Sequence, residues 1–136
     1  MNSASPFLAS VYVALGGAGG ALARYQLGRA MTRWLGSDAM VVFPWATLAV
    51  NTIGSLLMGL LAGFLVRSGS GDADGWRLLV GVGVLGGFTT FSAFSLEMAM
   101  LIQRGQVGLA GLYALLSLGL GVTGLIFGIT VARLGA

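Results

Sequence analysis

Long apolar stretches separated by short polar ones dominate the chain. A helix that crosses a membrane needs roughly 20 apolar residues, because the hydrocarbon core is about 30 Å thick. Stretches of sufficient length occupy residues 7–30, 45–66, 77–102 and 107–132. The pattern predicts an all-α membrane protein in which residues 1–136 form one domain of four transmembrane helices.

The connections between these stretches have the character of water-facing segments. Residues 67–75 are polar and rich in glycine, and residues 103–106 read as a tight turn. Trp34, Trp45 and Trp76 all fall next to predicted span ends. Indole prefers the headgroup zone, so the tryptophans indicate the same boundaries independently of hydropathy.

Composition narrows the function classes. The chain is 57% hydrophobic and only 8% charged, whereas soluble domains carry about 25% charged residues. Cysteine and histidine are both absent, which removes thiolate metal sites and the usual general base, so we expect no enzyme. Seven scattered arginines form no basic stripe, so we expect no nucleic-acid partner.

Arginine placement bears on the orientation of the spans. The first and third loops carry Arg24, Arg29, Arg33 and Arg104, and the remaining water-facing segments carry Arg67, Arg77 and Arg133. This near balance gives little positive-inside bias. Two interpretations follow. The chain inserts in one orientation, and Arg24 obscures the charge bias because it lies within the span, or the chain inserts in two orientations that pair antiparallel. Arg24 itself ends the first span, where it either snorkels to the headgroups or forms a positive vestibule for anions.

The second span carries a polar stripe. Thr47, Asn51 and Ser55 recur every four residues and therefore share one helix face. A buried asparagine amide is costly unless it is hydrogen-bonded. The stripe predicts either an interhelical hydrogen bond or a solute path in which Asn51 donates through its NH₂ group.

The third span contains poor helix-forming residues at its centre. Two glycines and two threonines over residues 86–90 predict a break in the helix. Such a break is tolerated in a membrane only where the freed backbone groups find partners, and exposed carbonyls there can bind a cation.

Three further side chains in this span have two interpretations each. Phe91 and Phe94 share a face and either pack in the core or present their positive ring edges to a small anion. Glu97 is the one acid within a predicted span. Its place near the end of the helix favours an interfacial pairing, and the alternative is a proton carrier.

Three segments together resemble the Fluc family of fluoride channels, also called CrcB. They are GGAGGALARY at residues 16–25, TLAVNTIGS at residues 47–55 and GGFTTFSAF at residues 86–94. The resemblance covers essentially the whole chain, and the third segment is its most specific part.

The resemblance implies an antiparallel, dual-topology homodimer with two fluoride pathways in a bacterial cytoplasmic (inner) membrane. It places Asn51 in the pathway and directs the ring edges of Phe91 and Phe94 at fluoride. It also implies a structural sodium ion at the dimer interface, held by backbone carbonyls of Gly86 and Thr89.

The resemblance also extends the pathway to other helices. Tyr113 and Ser117 are the nearest matches on the fourth span, and Thr47 can supply a further donor. Ala93 departs from the family pattern, since many members have threonine there. Ser92 and Ser95 keep hydroxyls nearby.

The function expected from the resemblance is passive fluoride efflux that protects the cell from fluoride toxicity. One alternative is a small dual-topology, proton-coupled exporter that uses Glu97. A second is an accessory membrane subunit without a solute path. A heteromeric partner from a second gene also stays open, although the balanced arginines favour a homodimer.

Overall fold

The computed structural model describes residues 5–68 and 73–134, and that part of the chain contains helices and no strands. Four helical spans are long and apolar enough to cross a membrane: Pro6–Leu35, Trp45–Arg67, Ala73–Gln103 and Val107–Leu134. The predicted all-α, four-span membrane architecture is confirmed, and the chain is a multi-pass membrane protein. Residues 69–72 of the predicted polar connection lie outside the described residues.

Helix α1 spans Pro6–Leu35 and is longer than the sequence pattern predicts, which ended the span at residue 30. Ser5 caps its N-terminus by accepting a backbone hydrogen bond, and Pro6 occupies the first turn, where its missing N–H costs nothing. The helix ends at Gly36, whose φ of 85° favours glycine. Helix α2, Ser37–Val42, follows directly and leads back towards the second span.

Helix α3, Trp45–Ser68, packs along helix α7, Val107–Leu134. Glycines bring the two backbones together. A Cβ atom added at Gly59 would collide with the Leu125 carbonyl, and one at Gly128 would lie 2.8 Å from a backbone nitrogen of α3. This close approach is the packing that glycines four residues apart predict in membrane helices.

A second seam of glycines joins α1 to the first half of the third span. A Cβ atom at Gly16 would lie 2.9 Å from the Cα of Gly83, and one at Gly87 would lie 3.0 Å from the Cα of Gly17. We call Gly16, Gly20, Gly83 and Gly87 the glycine seam. At each of these four positions an added Cβ would meet backbone atoms of the neighbouring helix, so no side chain can be inserted there without moving a helix.

The third span is not one regular helix. Helix α4, Ala73–Trp76, continues into a π-helical stretch, Arg77–Leu85, and a single turn, α5, at Gly86–Phe88; helix α6 then covers Phe91–Gln103. Thr89 and Thr90 between them are extended, with φ/ψ of −80°/158° and −152°/113°. The interruption therefore falls at the C-terminal end of the stretch predicted to break, and Gly86 keeps a helical conformation.

A small aromatic core fixes α6 against α7. Tyr113 of α7 is fully buried, and its ring meets the ring of Phe43 at 5.5 Å in a near-perpendicular arrangement of 76°. Leu101 of α6 and Ala110 of α7 complete the cluster. This core holds in place the face of α6 that carries Phe94 and Glu97.

Candidate functional site

A cavity of about 400 Å³ opens beside the interruption of the third span. Its wall includes Asn51 of α3, Thr89 and Thr90 of the interruption, Phe91 and Phe94 of α6, and Ser117 of α7. Four of the predicted fluoride-pathway residues thus share one cavity. Ser55, the last member of the polar stripe on α3, lines it as well.

The amide of Asn51 binds the backbone of Thr90 through both of its polar atoms. Its Oδ1 accepts from the Thr90 N–H at 2.8 Å, and its Nδ2 donates to the Thr90 carbonyl at 3.1 Å. These bonds are the interhelical hydrogen bond that the polar stripe predicts as one alternative, and Asn51 also lies on the cavity wall. Nδ2 carries two hydrogens, so one remains for a ligand in the cavity.

Two backbone carbonyls lose their helical partners at the interruption. In a continuous α-helix the N–H of Thr90 would bond to the carbonyl of Gly86, and the N–H of Ala93 to that of Thr89. Here Asn51 Oδ1 takes the first N–H at 2.8 Å, and Thr90 Oγ1 takes the second at 3.2 Å. These are the two carbonyls that the resemblance assigns to sodium.

Their chemistry fits a hard cation such as sodium. Neutral carbonyl oxygens released from a helix are the ligands that membrane proteins offer to alkali ions. Within residues 5–68 and 73–134 no group of three or more carboxylate, thiol or imidazole side chains could hold a metal instead. The neutral oxygens at the interruption, the backbone carbonyls first among them, are therefore the ligands that this region offers a cation.

The rings of Phe91 and Phe94 lie side by side at one end of the cavity. Their centroids are 5.6 Å apart and their planes differ by 36°. Phe94 also packs on the Tyr113 ring at 5.0 Å, whereas Phe91 is 78% exposed in the single chain. Core packing accounts for Phe94 in part, but it does not account for Phe91.

Glu97 stands in the middle of α6, further from the helix end than the sequence pattern suggested. Its Oε1 accepts from Thr47 Oγ1 at 2.7 Å, and its Oε2 accepts from the Tyr113 hydroxyl at 2.7 Å. Thr47 and Tyr113, both predicted as pathway residues, thus lie against this carboxylate and not among the residues that line the cavity. The sequence alone gives no sign that Thr47, Glu97 and Tyr113 meet, because they lie on three different helices that come together only when the chain packs.

Arg24 lies on the other side of the interruption, at the glycine seam. Its Nε donates to the carbonyl of Gly87 at 3.3 Å. A groove of about 550 Å³ runs from it along the last turns of α1, where Arg29 and Arg33 also contribute to the wall. Three guanidinium groups give this groove a positive potential.

Ser117 provides a further polar group at the cavity. Its Oγ is buried, and among the described residues it has no hydrogen-bond partner. A buried hydroxyl without a partner carries a free-energy cost of about 1–3 kcal/mol. Asn51 and Ser117 therefore each bring to the cavity wall a donor that can serve an anion.

Comparison with known proteins finds similar chains of nearly the same length. A protein from Erythrobacter litoralis named fluoride-specific ion channel FluC is 57% identical over 136 residues, covering 100% of both chains. Proteins of the same name from Novosphingobium aromaticivorans and Phenylobacterium zucineum are 58% and 50% identical over 125 residues, covering 92% of this chain and 96% and 95% of theirs.

A family model also matches most of the chain. It is described as "CrcB-like protein, Camphor Resistance (CrcB)" and aligns with residues 11–129. The matched region contains the cavity, the interruption and the glycine seam. The chain belongs to the CrcB family.

Proposed function

We propose that the protein is a fluoride-selective ion channel that gives passive fluoride efflux and protects the cell from fluoride. The observation that carries the proposal is the cavity that joins Asn51, Ser117, Phe91 and Phe94 beside the interrupted helix. Relatives that are 50–58% identical carry the name of such a channel. A bacterial cytoplasmic membrane is the compartment in which that efflux protects the cell.

The chemistry of the cavity suits fluoride. A small, strongly hydrated anion enters a narrow path only where donors replace its water. Asn51 keeps one amide hydrogen free of Thr90, and Ser117 has a hydroxyl without a partner in the described part of the chain. The ring edges of Phe91 and Phe94 add weak positive potential without binding the anion tightly.

The proposal includes an antiparallel homodimer with dual topology. A single chain leaves Phe91 78% exposed, and Gly86 is exposed as well. A second copy would cover both residues and enclose the path. The near balance of arginines between the two sides supports insertion in both orientations.

The proposal also includes a structural sodium ion between the two copies. The carbonyls of Gly86 and Thr89 from each chain would hold it, since both have lost their helical donors. When bound, the ion supplies a positive charge beside the anion path and satisfies the released carbonyls. The chain's own part is to keep these carbonyls free and close to the subunit interface.

Anion efflux from liposomes that contain only the purified protein tests the channel. We expect fast fluoride efflux, chloride efflux close to that of protein-free vesicles, and no change when a proton gradient is imposed or removed. Folded, assembled protein that moves no fluoride would refute the proposal. It would instead support a subunit without a solute path.

A further inference from the structure

The interruption of the third span is maintained by two side chains that substitute for helical carbonyls. Asn51 Oδ1 accepts the Thr90 N–H at 2.8 Å, and Thr90 Oγ1 accepts the Ala93 N–H at 3.2 Å. In a continuous helix, the Thr90 N–H would donate to the Gly86 carbonyl and the Ala93 N–H to the Thr89 carbonyl. We infer that Asn51 and Thr90 are positioning residues for the cation site, because each removes the donor that would otherwise occupy a site carbonyl.

A continuous helix is the conformation that the two side chains prevent. If the helix ran through Thr89 and Thr90, both carbonyls would accept backbone hydrogen bonds and would bind a cation more weakly. Thr89 supports the interruption from the other side. Its N–H and its Oγ1 both donate to the Leu85 carbonyl, at 3.0 Å and 2.9 Å, which closes the preceding helix there.

Asn51 connects this task with the anion path. It lines the cavity with Phe91 and Phe94 while both of its amide atoms hold Thr90. Asn51 thus keeps the Gly86 carbonyl free for a cation, and the same bonds fix the direction of its own remaining amide hydrogen. The inference rests on the proposed sodium site, and it adds that sodium affinity depends on side chains that do not touch the ion.

Substitutions can separate the two tasks of Asn51. Asn51→Asp keeps an acceptor for the Thr90 N–H, so Gly86 stays released, but it places a carboxylate at the anion path. Asn51→Leu removes the acceptor altogether. Thr90→Val removes the acceptor of the Ala93 N–H, and Thr90→Ser retains it.

The experiment measures the thermal unfolding midpoint of the purified, assembled protein against sodium concentration, with N-methylglucamine chloride holding ionic strength constant. We expect wild type and Thr90→Ser to reach half-maximal stabilisation at sodium concentrations within about threefold of each other. Asn51→Leu and Thr90→Val should each need at least about tenfold more sodium. In each variant an N–H group loses its side-chain acceptor, so it can bond to the site carbonyl and compete with sodium. Thr130→Val, a matched change at an exposed threonine of α7, should behave as wild type.

The outcomes separate this inference from the proposed function. A wild-type protein that sodium does not stabilise would overturn both the sodium site and this inference, while fluoride efflux would still test the channel on its own. A wild-type response that Asn51→Leu and Thr90→Val share unchanged would overturn the inference alone. If Asn51→Leu does not assemble, the difference between Thr90→Val and Thr90→Ser decides the matter.

Discussion

The hydroxyl of Tyr113 donates a 2.7 Å hydrogen bond to Oε2 of Glu97, across the contact between α7 and α6. Thr47 supplies the matching bond to Oε1 from α3. Both carboxylate oxygens are therefore occupied by neutral donors from two other helices. A carboxyl group held in this way ties α3, α6 and α7 together beside the aromatic core.

Removing the Tyr113 hydroxyl should weaken that junction. Tyr113→Phe keeps the buried ring but leaves Oε2 of Glu97 without this donor, which should lower the free energy of unfolding by about 1–3 kcal/mol. Chemical or thermal unfolding in detergent measures the loss. Tyr25→Phe is the control, because Tyr25 is 60% exposed and should change stability by less than about 0.5 kcal/mol. Equal stability of the two variants would show that the bond contributes nothing.

Glu97→Gln distinguishes a channel from a proton-coupled exporter. The amide has a single acceptor oxygen, so one of the Thr47 and Tyr113 hydroxyls must turn and accept from the NH₂ group instead of donating, and stability should fall. Transport should nevertheless stay passive, and fluoride efflux from liposomes should be the same with and without a proton gradient in wild type and variant alike. Efflux that follows the gradient in wild type and loses that dependence in Glu97→Gln would favour the exporter.

Replacing the two phenylalanines tests the role of ring edges. Isoleucine keeps most of the bulk of Phe91 or Phe94 but has no positive edge, so either substitution should lower fluoride efflux by tenfold or more while the protein still assembles. Phe127→Ile serves as the control, since Phe127 is 61% exposed on α7 and does not line the cavity. Efflux at the wild-type rate in both Phe91→Ile and Phe94→Ile would exclude the ring-edge role.

The glycine seam should tolerate no added methyl group. A Cβ atom at Gly20 would collide with the Val84 carbonyl and lie 2.8 Å from the Phe88 nitrogen, whereas one at neighbouring Gly19 would meet nothing within 4 Å. Gly20→Ala should therefore cost about 1–3 kcal/mol of stability through overpacking. Gly19→Ala should cost nothing measurable in the same unfolding assay, and a similar loss in both variants would argue against the seam.

Hydropathy predicted the four spans, because membrane helices must be long and apolar. The glycines and threonines of residues 86–90 predicted the region of the interruption, because they form helices poorly. The polar stripe of the second span and the shared face of the two rings singled out Asn51, Phe91 and Phe94, which the structure brings to one cavity. The exact residues of the interruption could not be read from the third span alone. They depend on Asn51, which lies 39 residues from Thr90 in the sequence.

Helix α2 and the environment of Glu97 escaped prediction for different reasons. Helix α2 has six residues, which is too short for a periodic pattern to stand out. Glu97 was assessed within its own helix, where it has no partner at helical spacing. Its two hydroxyl donors come from α3 and α7, so only the packed structure shows them together.

The two halves of the third span pack on different neighbours: Arg77–Phe88 lies along α1, while α6 lies mainly along α7. Thr89 and Thr90 are thus the short covalent connection between two separately packed segments. A rotation about their backbone bonds would move Phe91 and Phe94 together relative to α3. Asn51 fastens this connection to α3 through both of its amide atoms, so the loss of its side chain would leave the two segments freer to turn against each other.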